Sequence, residues 1–139
     1  MTHDALDPET LVAQARAATG LEDLGEGAYR PALDALVAAL DREADLNAIG
    51  VQIAAGEIVN YLANRLQITE WHRTHPEISR ADVLPPIVIV GQGRTGTTIL
   101  FDLLAQDPAH RVPLTWEVDR PFPPPQTATY ETDPRIAEV

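Results

Sequence analysis

The stretch Ile87-Val88-Ile89-Val90-Gly91-Gln92-Gly93-Arg94-Thr95-Gly96-Thr97-Thr98-Ile99-Leu100 decides how the chain is read. Its first four residues form a β-branched run between proline and glycine, which predicts a fully buried parallel strand rather than a half-exposed one. From Thr97 to Ala105, with Ile99, Leu100, Leu103 and Leu104 apolar, the spacing predicts a helix that Asp107-Pro108 ends. Between them lies Gly91 to Thr98, in the setting where loop amides and a helix N-terminus converge on an anion. The loop meets the Walker A pattern only in part. Gly91 and Gly96 have its GxxxxG spacing, but Thr97 stands where lysine belongs, and Arg94 is the loop's cation. A glycine-rich loop by itself can be no more than a tight turn. Here a planar guanidinium suited to phosphate or sulfate, and the Thr97-Thr98 hydroxyl pair at the helix start, argue for anion binding.

Downstream, Val112 to Trp116 predicts a second strand, and the segment separating it from the first is long enough for the helical crossover of a βαβ unit. Pro113 counts against a central place in a sheet. From Pro121 to Val139 the chain is proline-rich and then acidic, which predicts irregular or extended structure. Upstream, the pattern is helix after helix. Asp7-Pro8-Glu9 starts the first, which stops at Thr19-Gly20; Leu33, Leu36, Val37 and Leu40 stripe a second, from about Pro31 to Ala44. A third, Asn47 to Arg73, carries Val51, Ala55, Ile58, Leu62 and Leu66 along one side, and Ile49, Ile53 and Trp71 predict burial on more than one side. His75-Pro76 ends it, and a linker with Leu84-Pro85-Pro86 follows. The expected fold is α/β: a P-loop-like parallel sheet core, incomplete here, preceded by an N-terminal helical region. Residues 1–80 are the helical region and 81–139 the start of the α/β domain.

Composition narrows the chemistry. The 139 residues carry 10 basic and 21 acidic side chains, a net charge of −11, which excludes a general affinity for nucleic acid or for an anionic membrane surface. All ten basic residues are arginine, so Schiff-base chemistry and the usual phosphate-binding lysine are excluded. With no cysteine, disulfides and thiolate nucleophiles are excluded too. Met1 to Asp7 lacks the features of a signal peptide and apolar runs are short, so a cytoplasmic protein without a membrane span is expected. His72 and His75 have an i, i+3 spacing but no third ligand, so no metal is expected. His110 and Arg111 follow the crossover helix; His110 reads as a surface residue and Arg111 as a second candidate anion contact.

From the loop outward the sequence resembles the sulfotransferases that use 3′-phosphoadenosine 5′-phosphosulfate, in particular a bacterial branch whose phosphosulfate loop reads G-x-x-R-S/T-G-T-T. Here it departs from the commoner form in having Gly93 where proline often stands. The resemblance continues through Leu103 to Pro108, Val112 to Glu117 and Pro123-Pro124-Pro125, and reaches back to Arg30-Pro31, Leu46-Asn47, Asn64-Arg65-Leu66 and His75 to Ile78. It implies in-line sulfuryl transfer from that co-substrate to an acceptor hydroxyl or amine, without a metal. Gly91, Gly93, Arg94, Thr95, Gly96, Thr97 and Thr98 would hold the donor, and Arg94 would also act in catalysis. Related enzymes use a histidine or a glutamate downstream of the loop as base, and Glu117 occupies that place, with Trp116 beside it as a candidate wall of an acceptor pocket. A solvated carboxylate is the plainer reading of Glu117.

In that family the 3′-phosphate and adenine are gripped by later segments with no counterpart before Val139, and two strands are too few for a stable parallel sheet. The expectation is therefore an N-terminal portion that binds the donor weakly alone. Small-molecule, lipid and carbohydrate acceptors all stay open. So do two other functions: a degenerate P-loop kinase or NTPase, disfavoured by the missing lysine, and a non-enzymatic helical interaction module in residues 1 to 80.

Overall fold

A computed structural model describes residues 6–80, Asp82 and 84–138. The chain divides into two compact units, one ending at Ser79 and the other beginning at Arg80.

In the first unit, helix α1 spans Pro8–Thr19. Asp7 caps it by accepting from the Thr10 amide at 2.8 Å and the Thr10 hydroxyl at 2.9 Å. Gly20 ends it in the left-handed region (φ 69°), its N–H donating to Arg16 O at 2.7 Å. Helix α2 spans Tyr29–Glu43, two residues earlier than Pro31 suggests. Proline is tolerated at the third helical position because the first N–H groups of a helix have no intrahelical acceptor. Helix α3 spans Ala48–Thr74, capped by Asn47, which accepts from Gly50 N–H at 2.8 Å.

Helices α1 and α3 pack against each other through Leu11, Val12 and Ala15 on one side and Val51, Ile58, Leu62 and Leu66 on the other; Leu6, Leu24 and Leu33 complete the core. Each fully buried leucine contributes about 1.5–3 kcal/mol. Arg65 locks the turn between α1 and α2 to α3. Its guanidinium donates to Leu24 O at 2.7 Å and Glu26 O at 2.9 Å, and it lies over the Tyr29 ring, 5.1 Å from the centroid. Gly25 in that turn has φ 71°, and a Cβ there would meet Thr69 Oγ1 at 3.0 Å. The expected burial of α3 on more than one side does not hold: Ile49 and Ile53 are exposed, at 68% and 58%. The covered part of α3 faces α1 and the turn that follows it.

The second unit corrects the expectation of a sheet. Among the described residues there is no strand. Ile87, Val88 and Val90 are 65–88% exposed in an irregular segment, because a strand's amides and carbonyls need a neighbouring strand and none is described here. The second predicted strand is also absent. Thr115–Asp119 is a short helix, α5 (α4 is described below). Pro113 offers no N–H to a ladder, and the Glu117 carboxylate accepts from the Leu114 N–H at 2.7 Å, which caps a helix start instead. The helix expected after the loop does form: α4 spans Thr97–Leu104, with Ile99, Leu100 and Leu103 exposed.

The proline-rich tail is more ordered than expected, with 3₁₀ turns at Thr127–Thr132 and Pro134–Glu138. Arg135 organises it. Its guanidinium donates to Arg120 O at 2.7 Å, to Pro123 O at 2.8 Å and to both oxygens of Asp133, and it lies 4.8 Å from the centroid of Trp116. Among the described residues no helix is long and apolar enough to cross a membrane.

Candidate functional site

The loop from Gly91 to Thr98 is built by close approach and by handedness. A Cβ on Gly91 would stand 2.8 Å from Thr97 Cγ2 and 2.9 Å from Thr95 Oγ1, so only glycine fits. Thr95 Oγ1 itself donates to Gln92 O at 2.7 Å, closing the turn. Within the loop Arg94 (φ 64°) and Gly96 (φ 89°) have left-handed backbone and Thr95 between them does not. Alternating handedness of this kind turns successive N–H groups toward a common concavity that suits an anion. Glycine adopts this region freely, whereas arginine does so at a cost of roughly 1–2 kcal/mol.

Gly96 is the N-cap of α4, and no side chain caps that helix, so its first amides have no side-chain acceptor. Thr97 and Thr98 are therefore the first helical residues rather than caps, and neither hydroxyl makes a hydrogen bond among the described residues. Arg94 likewise has no hydrogen bond or ion pair there, and every residue from Gly91 to Gly96 is exposed. Uncapped amides, two unengaged hydroxyls and one unpaired guanidinium thus share a single turn of chain. That combination is suited to a phosphate or sulfate group.

Glu117 lies elsewhere in the unit and in a different state. Its side chain is 6% exposed. Oε1 accepts from the Arg111 guanidinium, while Oε2 accepts from the Leu114 amide at 2.7 Å and the Tyr130 hydroxyl at 2.8 Å. Burial pushes this carboxyl up, but the Leu114 amide, the Tyr130 hydroxyl and the Arg111 guanidinium outweigh it and hold it below the ordinary carboxylate value. Tyr130 is raised in turn, chiefly by its hydrogen bond to Glu117. No hydrogen bond or ion pair joins the loop to Glu117 among the described residues. Arg111, expected as a second anion contact, is committed to Glu117.

A cleft of about 610 Å³ adjoins this cluster, lined by Arg111, Pro125, Thr127, Ala128, Tyr130, Glu131 and Thr132. Trp116 is buried, its ring 5.4 Å from that of Tyr130 and tilted by 56°. Sequence reasoning missed Tyr130 and Arg135, which reach Glu117 and Trp116 across 13 and 19 positions of chain; no local pattern marks such partners. The helix around Glu117 did carry a signal, since an acidic residue in the first turn just after a proline marks a helix start. His75 stacks on Trp71 at 3.7 Å with its Nδ1 3.1 Å from Trp71 O. His110 Nδ1 lies 3.3 Å from Leu104 O. Among the described residues no three carboxylate or imidazole groups gather as a metal site would need.

Residues 85–138, which hold both the loop and Glu117, match the sequence model of the sulfotransferase family. Two solved structures are similar over nearly the whole chain. One is a sulfotransferase from Mycobacterium tuberculosis, 33% identical with a TM-score of 0.81 over 97% of this chain and 38% of its own. The chain resembles the sulfotransferase family. The other, a sulfotransferase from Mycobacterium avium, is also 33% identical, with a TM-score of 0.81 over 96% of this chain and 34% of its own. The chain thus spans little more than a third of the length of those solved chains. No curated protein sequence matches it.

Proposed function

We propose that the chain is the donor-loop part of a sulfotransferase that moves a sulfuryl group from 3′-phosphoadenosine 5′-phosphosulfate to an acceptor hydroxyl or amine. The observation that carries this reading is the Arg94 guanidinium, unpaired among the described residues, beside the uncapped N-terminus of α4, in a loop whose close approach at Gly91 requires glycine. When bound, the donor supplies an activated sulfur–oxygen bond. The loop amides and Arg94 would hold the phosphosulfate oxygens, and the Thr97 and Thr98 hydroxyls would donate to the oxygens on which charge gathers during transfer. No ordering of water or side chains is then needed as the charge develops.

Glu117 is the proposed acceptor base. All of its donors are in place, so an acceptor reaches Oε2 by replacing one of them; the Leu114 amide is fixed in the α5 cap, which leaves Tyr130 as the group that yields. In this reading residues 1–80 are a helical region preceding an α/β domain that begins at 81.

The test is equilibrium binding of adenosine 3′,5′-bisphosphate against ATP with magnesium. Preferential binding of the bisphosphate, lost in Arg94→Ala, supports the proposal; tighter binding of ATP with magnesium would favour a nucleotide kinase instead.

A further inference from the structure

A threonine hydroxyl carries one proton, and at Thr95 that proton is committed. Oγ1 donates it to Gln92 O at 2.7 Å, and a carbonyl can only accept. What remains on Oγ1 is lone pairs, which repel the oxygens of a phosphate or sulfate group. Thr97 and Thr98 differ, since neither of their hydroxyls makes a hydrogen bond among the described residues. We propose that Thr95 is a positioning residue: its hydroxyl holds Arg94 in the backbone conformation from which the guanidinium meets the donor, and it makes no bond to the donor itself. This rests on the sulfotransferase reading and assigns the group that aims the loop's cation.

The geometry of the turn shows why such a hold is needed. The Thr95 hydroxyl and Gln92 O close a turn whose two central residues are Gly93 and Arg94. A turn with left-handed backbone at its second central residue favours glycine there, because a Cβ crowds the neighbouring carbonyl. Here the order is inverted: Gly93 has no positive φ, and Arg94 takes the demanding place at φ 64°. Arg94 has no hydrogen bond or ion pair of its own among the described residues, so its side chain does nothing to keep it there. Gly91 contributes from the other side. A Cβ on it would lie 2.9 Å from Thr95 Oγ1, so the missing side chain leaves the room in which the hydroxyl reaches Gln92 O. Without that bond Arg94 relaxes to the right-handed or extended backbone ordinary for arginine, and its side chain leaves the loop in a different direction. A donor then has to reorder the turn before the guanidinium can engage it, which lowers affinity.

Thr95→Val removes the hydroxyl at nearly the same shape, and Thr95→Ser keeps it. In titrations of the full chain with adenosine 3′,5′-bisphosphate, Thr95→Val should lose about 3- to 12-fold in affinity, as for one neutral hydrogen bond, and Thr95→Ser should stay within about twofold of wild type. Glycine adopts left-handed backbone without help and has no side chain to aim, so adding Thr95→Val to Arg94→Gly should cost less than about twofold. A hydroxyl that bound the donor directly would be missed equally in both backgrounds, and an equal loss overturns the proposal. A ligand-free measurement comes from NMR. Left-handed backbone brings an amide hydrogen close to the Hα of its own residue, so Arg94 should give a strong intraresidue Overhauser effect in wild type and Thr95→Ser and a weak one in Thr95→Val. A strong effect that survives Thr95→Val also overturns the proposal. If wild type binds the bisphosphate through Arg94 while either of these comparisons fails, the positioning role alone is wrong. If wild type does not bind it, the sulfotransferase reading is wrong and the donor role of Thr95 falls with it.

Discussion

Gly91 and Thr97 approach so closely that a Cβ on the glycine would lie 2.8 Å from Thr97 Cγ2, a methyl group on a stiff β-branched side chain at the first position of α4. Gly91→Ala should therefore push the loop off the helix start and break the Thr95 hydroxyl's bond to Gln92 O. Binding of adenosine 3′,5′-bisphosphate should fall at least tenfold. Gly93→Ala, with nothing within 4 Å of its Cβ and no positive φ, should leave binding within twofold. Equal losses in the two variants would refute the packing argument.

Arg94 combines a strained backbone with a charge that is unpaired among the described residues, and two substitutions separate them. Arg94→Gly relieves a left-handed arginine worth roughly 1–2 kcal/mol and should raise the resistance of the loop to proteolysis or hydrogen exchange. It also deletes the cation, so bisphosphate affinity should drop about 10- to 150-fold, as for loss of a charge-assisted hydrogen bond of about 1.5–3 kcal/mol. Arg94→Lys should recover only part of the affinity, since an ammonium lacks the planar fork. A glycine variant that binds as well as wild type would remove Arg94 from the site.

The Glu117 cluster predicts a specific acid response. A carboxyl held below its ordinary value of about 4.3 contributes stability above that pH, and loses it as pH falls through the lowered value. Asp133, held down by Arg135, behaves in the same sense in the same unit. In a Trp71→Phe background, Trp116 fluorescence should report weakening of this unit below about pH 4. Glu117→Gln should be less stable near neutrality and show a smaller acid loss, and Glu117→Gln with Asp133→Asn the smallest. An unchanged acid transition in the double variant would show that other groups govern it.

In the first unit, Leu66 is fully buried on α3, facing α1, so Leu66→Ala should cost about 2–5 kcal/mol. Ile53→Ala, on the exposed face of the same helix, should change stability by less than about 0.5 kcal/mol. Chemical denaturation followed by far-ultraviolet dichroism distinguishes them; similar costs at the two positions would mean that the outer face of α3 is also covered.

Much of the first unit could be read from local chemistry. Asp7, Gly20 and Asn47 act on amides and carbonyls within four residues of themselves, and the stripe from Val51 to Leu66 needs only the helical repeat. The loop was legible for the same reason, because close packing at Gly91 and left-handed backbone at Gly96 are demands that a glycine answers in place. The strands were not. A β-branched run states only that its residues suit a pleated surface, and whether Ile87 to Val90 are buried depends on chain that pairs with them.

By itself, then, the sequence determined the three helices of the first unit with their caps at Asp7, Gly20 and Asn47, the glycine-rich loop and the exclusion of lysine and thiol chemistry, all of which rest on residue identity or on neighbours a few positions apart. Only the tertiary structure decided the state of Glu117. Its burial, its lowered pKa and its hold on Tyr130 come from groups 6 and 13 residues away, brought together by a short helix and a 3₁₀ turn. Protonation follows the donors that surround a carboxylate in space, and spacing along the chain does not record them.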